Sequence, residues 1–312
     1  MGNDIPKVIS IVGPTASGKT DLSIALAKEY EAEIVSADSM QIYKEFNILT
    51  AKPTKQQIQS VKHHLIDIIS VNKEFSVGEF VKLAEDTINN IILNKKLPIV
   101  VGGTGLYLDT LLKSTRLEIK PSKDEAIREK LKNYTNEELM KKLRDIDKVS
   151  ADKIHINDTK RLIRAIEFYE VLGYPISNQV KNSKEGPLKY DVCSIGLNFK
   201  NREILYDRIN KRVDKMFEMG ALEETRKILK VGTSKTSESV IGYKQIVSYL
   251  KKEIEYAEML EDIKRETRRY AKRQLTWFRK NKEINWIYID EHKDEKEVKN
   301  LASFIAKKFL HS

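Results

Sequence analysis

Lys7-Val8-Ile9-Ser10-Ile11-Val12 runs directly into Gly13-Pro14-Thr15-Ala16-Ser17-Gly18-Lys19-Thr20, and this stretch decides the fold. A short apolar run rich in β-branched residues reads as a buried strand. G-x-x-x-x-G-K-[ST] follows it, and Leu22, Ile24, Ala25, Leu26 and Ala27 then cluster at helical spacing. Strand, phosphate loop and helix in that order make a P-loop. Gly13 and Gly18 let the backbone curl until successive N–H groups share one concavity, to which the helix N-terminus adds its positive dipole end. Lys19 supplies a charge for the outer phosphate, and the Thr20 hydroxyl can hold Mg2+. The expected fold is α/β, a P-loop NTPase-like core whose parallel sheet is flanked by helices, with an all-helical insertion.

Composition narrows the setting. The 312 residues suffice for one large α/β domain with an insertion, or for two domains. A formal net charge of +10 admits a polyanionic partner, although a generally basic surface gives the same total. The lone Cys193 can form neither an internal disulfide nor a cysteine-rich zinc site, which points to a reducing compartment. No apolar run approaches the roughly 20 residues of a membrane span. A P-loop this early leaves no room for a cleavable signal peptide, so a cytoplasmic protein with no membrane partner is expected.

Along the chain, Ala32 to Ser36 reads as a strand ending in Ala37-Asp38-Ser39-Met40-Gln41, where open α/β sheets place their chemistry. Asp38 is open to three readings: Mg2+ ligand, general base or helix N-cap. His63 and His64 point to opposite faces of an extended run, which favours packing and hydrogen bonding over a metal pair. Leu97 to Val101 is a buried-strand pattern that ends in Gly102-Gly103-Thr104-Gly105. ATP-hydrolysing P-loop proteins usually carry an acid there. Glycines imply close backbone approach to a ligand instead, and Thr104 either contacts that ligand or caps the next helix.

From about Thr115 the sequence turns charged and helical, so 117–188 is read as an insertion between core segments 1–116 and 189–312. Within it Lys160, Arg161 and Arg164 flank an apolar stripe, either as a solvated edge or as phosphate contacts. Lys181 to Gly186 reads as a polar loop. Arg208 and Arg212, at i and i+4 on one helical face, suit a diphosphate clamp, with Asp207 and Asp214 as competing partners. Lys264 to Lys280 is the most basic segment and carries interleaved aromatics, the footprint of a helix lying on nucleic-acid backbone. On these residues alone, a small-molecule kinase or NTPase and a non-catalytic RNA-binding protein remain alternatives.

The ordered set GPTASGKT (13–20), SADSMQIY (36–43), HHLID (63–67), GGTGLY (102–107), NDTKRLIRA (157–165), RINKRVDKM (208–216), GYKQ (242–245) and KRQLTWFRK (272–280) resembles the tRNA dimethylallyltransferases, also called tRNA isopentenyltransferases. The resemblance runs from about residue 8 to about 280 and is to the bacterial form, since one cysteine leaves no zinc finger. It implies transfer of a dimethylallyl group from dimethylallyl diphosphate to the exocyclic amine of the adenosine just 3′ of the tRNA anticodon. It implies that Gly13 to Thr20 hold the diphosphate with Mg2+ and with Arg208 or Arg212, and that Asp38 is the base with Thr104 beside the reacting amine. It further implies tRNA contacts at Asp38, Ser39, Met40, Gln41, Thr104, Arg128, the run Lys160, Arg161, Leu162, Ile163 and Arg164, and the run Val240, Ile241, Gly242, Tyr243 and Lys244. The last implied contact segment holds Lys272, Arg273, Gln274, Trp277 and Arg279. Lys160 stands where the family more often has glutamine, and Lys244 where it has arginine. The expected partner is the tRNA anticodon stem-loop, bound by a monomer.

Overall fold

The computed structural model describes residues 5–113, 124–178 and 188–312. In β1 (Lys7–Val12), Val8 and Val12 enter the core on one face of a sheet while Ile9 and Ile11 enter it on the other. An unbroken apolar run is what a strand covered on both faces requires. The strands β2 (Glu33–Ser36), β3 (His63–His64), β4 (Pro98–Gly102), β5 (Asp191–Asn198) and β6 (Asn285–Tyr288) complete a parallel sheet of order β3-β2-β4-β1-β5-β6. β6 is absent from the sequence reading: Asn285-Trp286-Ile287-Tyr288 is four residues long and buries only Ile287 fully, so it carries no strand pattern. Pairing with β5 makes it a strand.

The chain divides into two compact units, Met1–Leu112 with Lys189–Ser312, and Lys113–Leu188. The first holds α1 (Lys19–Glu29), α2 (Lys55–Ser60), α3 (Val77–Leu93) and α4 (Gly105–Leu112). The second holds α5 (Glu125–Lys132), α6 (Asn136–Ile146), α7 (Lys148–Ala151) and α8 (Thr159–Leu172), around a core that includes Leu131, Leu139, Leu143 and Leu162. The first unit resumes with α9 (Arg202–Glu218), α10 (Ala221–Val231), α11 (Tyr243–Leu250), α12 (Tyr256–Phe278) and α13 (Glu295–Leu310). Its α1 and α13 cover one face of the sheet; α3, α4, α11 and α12 build the core on the other. The expected segment boundary at 116/117 and the polar loop over 181–186 lie outside the described residues. No described helix is long and apolar enough to cross a membrane.

Candidate active site

Parallel pairing sets Val12 opposite Gly102 and Ser36 opposite Val101, so the loops after β1, β2 and β4 leave the sheet at one edge. Open α/β sheets bind ligands outside such carboxyl ends. The loops crowd closely. A Cβ on Gly102 would lie 2.2 Å from the Ala37 carbonyl oxygen, and one on Gly13 would lie 2.5 Å from that of Leu197. A cavity of about 810 Å³ opens above them, lined by Thr15 to Thr20, Asp38 to Gln41, Arg208, Arg212, Val240, Ile241, Arg273 and Gln274.

One wall is cationic. Lys19 begins α1 and donates from Nζ to the Pro14 carbonyl at 2.7 Å. Although the residue is only half-buried as a whole, its ammonium sits in the dense floor of the loop. Burial, with the nearby Arg212 charge, brings its pKa down to about 7 against the opposing pull of Asp38. Burial also lowers Arg212, again opposed by Asp38. Two cations held in mutual repulsion form a site built for an anion. Asp214 does not quench them: it pairs with Lys264 at 2.7 Å.

The same cavity carries the acid. Asp38 Oδ1 accepts from the Met40 N–H at 2.9 Å and the Gln41 N–H at 3.4 Å, while Oδ2 takes part in no hydrogen bond among the described residues. The hydrogen bonds hold the carboxylate and leave one oxygen to accept a proton. Thr104 Oγ1 accepts from the Ser39 N–H at 3.1 Å and approaches Ser39 Oγ at 3.3 Å. It ties the loop after β4 to the loop after β2 rather than capping α4.

A divalent cation fits this donor set. Thr20 brings a hard oxygen ligand to the cavity, and the Ser17 hydroxyl is buried with no partner. No group of three or more His, Cys, Asp or Glu gathers among the described residues. Mg2+ is suited to such a site, because it takes one or two protein oxygens and fills its shell with phosphate and water.

Several residues expected to touch RNA are also engaged within the protein, and for the buried Leu162 and Tyr243 the expectation is corrected. Leu162 is wholly buried in the helical unit, and Tyr243 is buried edge-on against Phe46. Gln41 spends its amide on Ser36 and on the carbonyls of Thr50 and Ala51. Gln274 is also buried. Its Oε1 accepts from the Thr15 N–H at 2.8 Å and its Nε2 donates to the Gly103 carbonyl at 3.0 Å. Trp277 lies against Gly105 and donates from Nε1 to Asp109 at 2.8 Å.

In the helical unit, Arg128 grips buried Glu167 with two hydrogen bonds and Arg164 adds a third. Burial alone would raise Glu167, but these arginines outweigh it and hold the carboxyl at about 2. Lys160 and Arg161 stay exposed on the same helix, and Ile163 is half-buried. On α11, Lys244 is exposed, and Gly242 just before it takes a φ of 99°. On α12, Arg265 and Arg269 pair with Asp262 and Glu266 one turn back, whereas Lys272 and Arg279 are exposed and form no ion pair among the described residues.

Sequence reasoning missed Tyr270. It reads as one more aromatic in a basic helix, yet Ile263, Thr267, Tyr270 and Gln274 all line the cavity. Their i, i+4, i+7, i+11 spacing is a single helical stripe, and it was legible in the sequence.

A family model described as IPP transferase matches residues 41–281. The chain is 46% identical over 310 residues to the tRNA dimethylallyltransferase of Thermoanaerobacter sp. (strain X514), covering 97% of this chain and 98% of that protein. Among solved structures it resembles the tRNA isopentenylpyrophosphate transferase of Bacillus halodurans, at 38% identity and a TM-score of 0.72 over 98% of this chain and 97% of that one. It also resembles a eukaryotic dimethylallyltransferase acting on tRNA, at 31% identity and a TM-score of 0.76 over 88% of this chain and 70% of that one. The extent of these matches, with a sheet edge that gathers a phosphate loop and a free carboxylate oxygen, places the chain in the IPP transferase family.

Proposed function

We propose that this chain transfers the dimethylallyl group of dimethylallyl diphosphate to the exocyclic amine of the adenosine 3′-adjacent to the tRNA anticodon, releasing diphosphate. The observation that carries this reading is one cavity that brings together Lys19, Arg212 and the unengaged Asp38 oxygen. The allylic carbon–oxygen bond breaks and a carbon–nitrogen bond to N6 forms. Charge that develops on the leaving diphosphate meets Lys19, Arg212 and the loop N–H groups, which are fixed in advance of the reaction. The amine is a weak nucleophile because its lone pair is shared with the ring, so Asp38 accepts its proton as the new bond forms. When bound, Mg2+ supplies further charge neutralisation at the diphosphate, with the Thr20 hydroxyl as its protein ligand. The target base leaves the loop stack to reach the cavity, and the exposed Lys272 and Arg279 lie where α12 meets RNA backbone.

The test is incubation with Mg2+, labelled dimethylallyl diphosphate and an unmodified anticodon stem-loop. Label is expected on N6 of that adenosine, with Asp38→Asn keeping donor affinity while turnover falls by about a thousandfold, within the range for loss of a general base. Phosphate transfer from ATP with no prenyl label would overturn the reading.

A further inference from the structure

The loop between β2 and α2, residues 37–54, supplies Asp38, Met40, Gln41, Leu49, Thr50 and Ala51 to the cavity. Its far end is held by a side chain from a distant part of the sequence. Glu224, half-buried on α10, accepts three consecutive backbone N–H groups. Asn47 and Ile48 both donate to Oε2 at 2.8 Å, and Leu49 donates to Oε1 at 3.0 Å. Hydrogen bonds to an ionised acceptor are the strong ones, and three on one carboxylate fix the 47–49 turn against α10. Thr50 Oγ1 donates to the Phe46 carbonyl at 2.6 Å and Lys52 Nζ donates to that of Tyr43, so the segment moves as one piece. Its next two carbonyls, Thr50 and Ala51, accept from Gln41 Nε2 at 3.3 and 3.4 Å. Carbonyls can only accept, which fixes the amide with Oε1 turned to the Ser36 hydroxyl at 3.1 Å. The Gln41 amide is thus a bar between the turn and the end of β2. The backbone N–H of the same residue, with that of Met40, holds Asp38 Oδ1.

We propose that Glu224 is a positioning residue for the transfer reaction: through the 47–49 turn and the Gln41 amide it sets the aim of the Asp38 carboxylate at the target amine. The inference rests on the reading of Asp38 as the base given above. Asp38 Oδ2 takes part in no hydrogen bond among the described residues, so its direction is inherited from Oδ1 and hence from the Met40–Gln41 backbone. A general base works only within roughly 2.6 to 3.2 Å of the nitrogen whose hydrogen it takes. Small displacements of that backbone therefore reach the rate. A glutamine at position 224 would set its NH2 group against at least one of the three backbone N–H groups, donor against donor, and the turn would move away from α10. The phosphate loop stands on other contacts, with the Thr15 N–H held by Gln274 and the Ala16 carbonyl by Arg208. The effect of Glu224 falls on the base and spares donor binding.

The experiment is a double-mutant cycle on the full-length protein: unaltered, Glu224→Gln, Asp38→Asn and the two together. Each form, in excess over an unmodified anticodon stem-loop, receives Mg2+ and saturating labelled dimethylallyl diphosphate. The single-turnover rate of label entering the adenosine is read, and calorimetry measures donor affinity alongside. Glu224→Gln should lower the rate about tenfold, for a displacement short of the roughly 1 Å that costs about a hundredfold. Added to Asp38→Asn it should lower the rate less than about twofold, because no base is left to misdirect. Donor affinity should stay within about twofold. Glu223→Gln, at the exposed neighbour that pairs with Arg226, should leave the rate unchanged. Gln41→Met cuts the same chain nearer the base and should repeat the pattern, which keeps the test open if Glu224→Gln does not fold. An equal loss in both backgrounds, or no loss with Asp38 present, would overturn the inference while leaving the transfer reaction intact. Failure of the unaltered protein to label the stem-loop would overturn the reading of the site itself, and this inference with it.

Discussion

Arg208 reaches from α9 to the phosphate loop, where its Nε donates to the Ala16 carbonyl at 3.0 Å. Ala16 holds a left-handed φ of 63°, so the bond braces a strained turn at the point where the loop curls around its anion. Arg212, one turn further on, makes no such bond and instead shares the cavity's field with Lys19 and Asp38. The two arginines therefore have separable roles. Arg208→Ala should raise the KM for the prenyl donor several-fold with kcat held within about threefold. Arg212→Ala should lower kcat by about a hundredfold, the scale of removing one group that stabilises charge in a transition state. Steady-state kinetics at saturating tRNA would distinguish them, and equal effects on both parameters would refute the division.

Lys19 gives the site a pH dependence of definite sign. Its pKa of about 7 in the fold lies below its ordinary value of 10.5, so between those values the unfolded chain binds a proton that the free fold rejects. Stability from this group therefore rises with pH across that window. Donor binding runs the other way, because diphosphate favours the charged lysine. Binding above pH 7 should take up close to one proton, and affinity should fall by up to about tenfold per pH unit as Lys19 is neutralised. Titration calorimetry in buffers of different ionisation enthalpy measures the uptake. Lys19→Arg, always charged, should abolish it.

The basic helix divides by pairing rather than by composition. Arg265 and Arg269 are paired within α12, while Lys272 and Arg279 are exposed and form no ion pair among the described residues. Lys272→Ala with Arg279→Ala should weaken tRNA binding and reduce the log–log salt slope by about 1.5, at roughly 0.7 to 0.9 for each phosphate that a cation neutralises. Arg265→Ala with Arg269→Ala should leave the slope within about 0.5. Filter binding from low to moderate salt would show whether the two pairs differ.

Glu167 ties the helical unit to acid sensitivity. Its carboxyl is held at about 2, so its contribution is complete above pH 4.5 and is lost as pH falls from there toward 2. The gap corresponds to about 3 kcal/mol, reduced to about 2 kcal/mol by solvent screening at the partly exposed arginines. Glu167→Gln should lose most of this at pH 7, seen as faster amide exchange across α5 and α8 in the full chain. Unchanged exchange there would mean the three hydrogen bonds add nothing to the unit.

The sequence by itself determined the P-loop, the strands β1, β2 and β4, the helical character of 124–172 and the family. Each is a local pattern: β-branched runs, helical spacing, and glycines placed ahead of Lys19. It left Asp38 as ligand, base or cap, and it left Thr104 as ligand contact or cap. It took the buried Leu162 and Tyr243 for RNA contacts, did not show the internal bonds of Gln274 and Trp277, and passed over Tyr270 and β6. Those outcomes depend on partners far away in the chain. Gln274 meets Thr15 and Gly103 only once α12 is laid across the sheet edge, and β6 is a strand only because β5 is there to pair with it. Residue type states what a side chain can donate or accept. Tertiary packing decides which of those capacities are already used inside the protein, and so which remain for a substrate.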